Sequence, residues 1–63
     1  MTKNMIALCD KAKKQGWKVT QGDNSSIRFE PPEGNRAIVW TEMGSYGEVV
    51  NLVIILQRLG FQP

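Results

Sequence analysis

The spacing of apolar residues changes period along the chain, and each change marks an element. Met5, Leu8, Cys9 and Ala12 recur at steps of three and four, with Ile6 at the shoulder, and predict an amphipathic helix over residues 2–15. Thr2 is placed to cap it, while Lys11, Lys13 and Lys14 suit the negative pole of its dipole. Gly16 should end the helix, with Trp17 folding back on the last turn. The period then shortens to two. Trp17 and Val19 alternate with Lys18 and Thr20, and Ile27 and Phe29 alternate with Ser26, Arg28 and Glu30, which predicts strands over 17–21 and 26–30. Residues 36–41 form a third strand, with Ile38 and Trp40 as the inward pair. The segments 22–25 and 31–35 between them are turns by composition.

The most apolar stretch, residues 45–60, reads as the closing helix. Ser45 and Glu48 have capping-box spacing, and Gly60 stands where a left-handed residue ends a helix. Val49, Leu52, Val53, Leu56 and Leu59 make one broad buried face, with Ile55 at its edge. The β-branched run argues for a strand, but length and the two caps favour a helix. Val50 and Ile54 lie four apart on the flank, among Asn51, Gln57 and Arg58. Either another part of the domain or another chain covers them.

The predicted class is α+β, in the order α-β-β-β-α: a three-stranded antiparallel sheet with two helices on one face. The 63 residues make a single domain, 1–63. Such a domain buries only ~60% of the surface its unfolded chain exposes, so association is a natural reinforcement. One cysteine permits no internal disulfide, and the absence of histidine removes the usual zinc ligand sets, so no metal or cofactor is expected. Cys9 reads as a small buried apolar residue. The opening residues lead into a polar segment rather than an apolar run, and the last helix is too short to span a bilayer. A cytoplasmic protein without membrane contact is expected.

Net charge is +2, unevenly spread. Lys11, Lys13, Lys14, Lys18 and Arg28, with Arg36 near the edge of the sheet, are the candidate nucleic-acid contacts. Dipole pairing and solubility explain the helix lysines equally well. Val50, Ile54 and Val53 are the candidate interface.

The chain resembles the HicA-type toxins, which share their fold with double-stranded-RNA-binding domains. The resemblance rests on the helix ending in Gly16-Trp17 with Val19 two residues on, on Ile27-Arg28-Phe29-Glu30-Pro31-Pro32-Glu33-Gly34, and on Asn51-Leu52 followed by Leu56-Gln57-Arg58-Leu59-Gly60. It is strongest to the short versions of phages and actinobacteria and covers nearly the whole chain. It implies a toxin–antitoxin setting, an RNA substrate and a protein partner. The family also implies a catalytic histidine at the start of the second strand. Ser26 occupies that position here, preceded by Ser25 where the family commonly has Gly. A serine hydroxyl does not titrate near neutral pH and cannot replace an imidazole as general acid or base. The expectation is therefore a non-catalytic HicA-like domain that binds RNA through its basic surface and forms a homodimer through the last helix. The alternative is a protein-interaction module, binding an antitoxin-like partner or, as a phage-type inhibitor, a host protein.

Overall fold

A computed structural model of the chain describes residues 1–34 and 36–63; Asn35, assigned above to the second turn, lies outside the described residues. The elements are α1 (Lys3–Lys14), β1 (Lys18–Gln21), β2 (Ser26–Glu30), β3 (Ile38–Thr41) and α2 (Glu48–Gln57). The strands form one antiparallel sheet in the order β1-β2-β3. Val19 stands opposite Phe29, and Ile27 opposite Trp40, so the inward residues form a continuous apolar face. Both helices cover that face: Met5, Leu8, Cys9 and Ala12 come from α1, and Leu52 and Leu56 from α2. Lys18, Thr20, Arg28, Val39 and Thr41 stay exposed on the reverse side. Burial pushes the Cys9 thiol pKa up, against the opposing charge of Lys13.

The sheet is shorter than the alternation predicts, and its two ends have different causes. The register would pair Trp17 with Pro31 on one side and Arg36 with Pro31 on the other. Pro31 has no N–H to give the β3 ladder, while at the β1 end the Gly16 and Trp17 N–H groups are committed to the Lys13 and Ala12 carbonyls of α1. Accordingly β1 begins at Lys18 rather than Trp17, and β3 at Ile38 rather than Arg36. The first turn centres on Asn24 and Ser25, at φ 56° and 62°, and is closed by the Ser26 N–H donating to the Asp23 carbonyl at 3.1 Å. Positive φ at both central residues is the type I′ pattern, which normally selects Gly at the second.

The two helices end alike. In α1 the Gly16 N–H donates to the Lys13 carbonyl and the Trp17 N–H to the Ala12 carbonyl, both at 3.0 Å. In α2 Gly60 donates to Gln57 at 3.1 Å and Phe61 to Leu56 at 3.1 Å. These are paired Schellman bonds, each with a left-handed glycine followed by an aromatic that returns to the core. The two aromatics then meet edge to face, Trp17 on Phe61, at 6.2 Å between ring centres. The Gln15 side chain fixes the same end by donating to the Gln62 carbonyl at 2.6 Å and accepting from its N–H at 2.8 Å.

The start of α2 departs from the capping box. Gly47, at φ 83°, is the N-cap and makes no side-chain cap bond, and Ser45 contributes only its carbonyl, 3.3 Å from the Glu48 N–H. Left-handed turns at Gly44 and Gly47 fold the incoming segment over Glu48. Its carboxylate accepts from the Trp40 indole N–H at 2.8 Å and from the Met43 and Gly44 amides at 2.7 and 3.2 Å. Glu48 is consequently only 6% exposed and ties α2 to β3 rather than to its own first turn.

Candidate functional site

The packing of α2 divides its apolar residues into two sets. Leu52 and Leu56 are buried, and Val49, Val53 and Leu59 are half-buried against the core. Val50 is 63% exposed and Ile54 47%, so the rest of the chain does not cover the flank pair. Tyr46, fully exposed, lines one cleft together with Val50. Val50, Ile54 and Arg58 stand four residues apart and form one outward ridge, with Tyr46 exposed in the turn ahead of it, before the left-handed Gly47. Sequence reasoning missed Tyr46, because the capping-box reading drew attention to Ser45 and Glu48. Its spacing from Val50 gives no signal, because the left-handed Gly47 breaks the helical period between them. Val53 is half-buried: it packs against the core and also lines the groove between the helices.

Beside the ridge runs a largely apolar groove of ≈ 270 Å³ between the helices, lined by Ala7, Leu8, Val49, Val53, Phe61 and Pro63 together with Asn4 and the cationic Lys11. A second cleft of ≈ 380 Å³ separates the two helix starts and is bounded by Thr2 and Asn4 on one side and residues 45–50 on the other. The ridge therefore has one apolar groove and one mixed polar and apolar cleft beside it.

The candidate basic residues do not share a face. Lys18 and Arg28 point from the open side of the sheet, Lys18 opposite Glu30 and Arg28 between Thr20 and Val39. Lys11, Lys13 and Lys14 belong to α1, which packs on the other side. What the fold gathers is an end, not a face. The close of α1, the start of β1 and the turn at Pro32 converge there, with Gly16 beside Pro32 and Gln15 bound to Gln62. Lys11, Lys13, Lys14 and Lys18 lie at that end, with Arg36 on the connection into β3 and Arg58 closing α2. Asp10, Glu30 and Glu33 are their acidic neighbours in the chain. Arg58 was not among the sequence candidates; its position at the last turn was the signal. Trp40 faces inward and is bound to Glu48, so it offers no stacking platform to a base.

The Ser26 hydroxyl donates to the Asp23 carbonyl at 2.8 Å and serves the hairpin turn. Among the described residues no three or more Cys, Asp or Glu side chains gather as a metal site would require, and no helix is long and apolar enough to cross a membrane. Compared with known proteins, the chain matches no family model, no curated protein and no solved structure.

Proposed function

We propose that this chain is a non-catalytic HicA-like domain that works by binding, with the outer ridge of α2 as its protein-contact surface. One observation carries the reading: Val50 and Ile54 remain 63% and 47% exposed on a helix whose Leu52 and Leu56 are fully buried. Exposed apolar residues that are contiguous and bordered by an apolar groove mark contact sites far more often than scattered ones do. The non-catalytic part is supported by the chain's lack of histidine and by the Ser26 hydroxyl being committed to the turn. The ridge itself names no antitoxin-like or host target.

The test is Val50→Asp combined with Ile54→Asp. A surface role predicts a folded protein whose stability at low concentration stays within ~0.5 kcal/mol of wild type per site. Loss of the folded far-UV circular dichroism would place the pair in the fold instead of on a contact surface.

A second reading, RNA binding, has its own support in the basic end. Lys11, Lys13, Lys14, Lys18, Arg36 and Arg58 are exposed there, suited to phosphates in a salt-sensitive, sequence-independent mode. Arg28 lies apart from them on the open sheet face and is not needed for it.

A further inference from the structure

Resting on the reading of α2 as a contact surface, we infer that its occupant is a second copy of this chain, packed antiparallel across a two-fold axis that passes between Val50 and Ile54. Self-complementarity is the first argument. A ridge lying beside a groove on the same molecule is what a two-fold operation can satisfy, because each copy's ridge enters the other's groove. Val50 of one copy then packs beside Ile54 of the other, and Val53 and Phe61 supply the groove floor.

Charge complementarity selects the direction. Between Glu48 and Arg58 the helix carries no charged residue, and Glu48 is turned inward to Trp40 and the Met43 amide. Arg58 is thus the ridge's single cation. A parallel pair would set Arg58 against its own copy. The antiparallel pair sets it against Tyr46, where the guanidinium can lie over the ring, and places each helix start beside the other's negative end. Gly47 leaves open space next to Tyr46 for that approach.

Area sets the strength. A contact built on one ten-residue helix from each copy falls below the ~1,200 Å² of a standard interface. Association should therefore be weak, with a dissociation constant on the order of 10 µM or above. Removing the Tyr46–Arg58 contact by Arg58→Ala should weaken it about two- to fivefold.

Disulfide trapping provides the test. Val50→Cys and Ile54→Cys proteins, each with Cys9→Ala, are mixed in equal amounts, oxidised and weighed by mass spectrometry. The expected product is the mixed disulfide, in clear excess over random pairing. Should Cys9→Ala impair folding, the same experiment is run with Cys9 retained, since that thiol is buried. Homodisulfides in excess, random pairing or no cross-link would overturn the proposal. The two levels separate cleanly: an Asp variant at Val50 and Ile54 that fails to fold removes the contact surface altogether, whereas a folded Asp variant with no mixed disulfide removes only the second copy.

Discussion

Glu48 has the largest structural role of any single polar residue in this chain. The Met43 amide chiefly, with the Trp40 indole and the Gly44 amide, holds its pKa below the ordinary value, although burial opposes the shift. A depressed carboxylate adds stability that is fully present above its unfolded pKa of about 4.3 and is lost as pH falls through the lower folded value. Glu48→Gln should therefore lower the melting temperature at pH 7, and the variant should lose less stability than wild type on acidification. Parallel thermal melts at pH 7 and pH 3 check both. Ser25 is the opposite case, a residue held at a positive φ that glycine adopts freely. Ser25→Gly should stabilise the protein by about 0.5–1 kcal/mol in urea titration, since the relieved turn strain exceeds the entropy glycine adds.

Among the elements, the matching helix ends were the most legible part of the sequence. Gly16-Trp17 and Gly60-Phe61 announce left-handed stops, and both are found. Gly60→Ala meets no neighbouring atom, so its cost is purely conformational, about 1–2 kcal/mol. A chemical-denaturation midpoint shift with unchanged m-value would register it. Strand faces were equally readable, because the inward alternation of Ile27, Phe29, Ile38 and Trp40 admits one buried side. The start of α2 was not. Ser45 and Glu48 have the spacing of a cap, but local spacing carries no information about Trp40, whose indole competes for the same carboxylate. The sheet ends were missed for a related reason: Pro31 limits β3 only once the register brings Arg36 opposite it, and β1 is limited by the bonds that Gly16 and Trp17 make to the end of α1. Of the site, sequence spacing identified Val50 and Ile54 but could not say whether the chain covered them, because that depends on where α1 lies.

For the molecule as a whole, the apolar ridge and the basic end are separate surfaces that share Arg58. If the basic end holds RNA, changing Lys11, Lys13 and Lys18 together to Glu should abolish the binding seen by fluorescence anisotropy at low salt. Unchanged affinity would remove that second reading without touching α2. The ridge is tested most directly by light scattering of the wild type beside the Val50→Asp, Ile54→Asp variant, over concentrations from about 10 µM to about 1 mM, a range that brackets weak association. The account predicts a wild-type mass rising with concentration from 7.1 kDa toward twice that value, and a folded variant that stays at 7.1 kDa. A wild type that remains at 7.1 kDa throughout, or a variant that associates as well as the wild type, would contradict it.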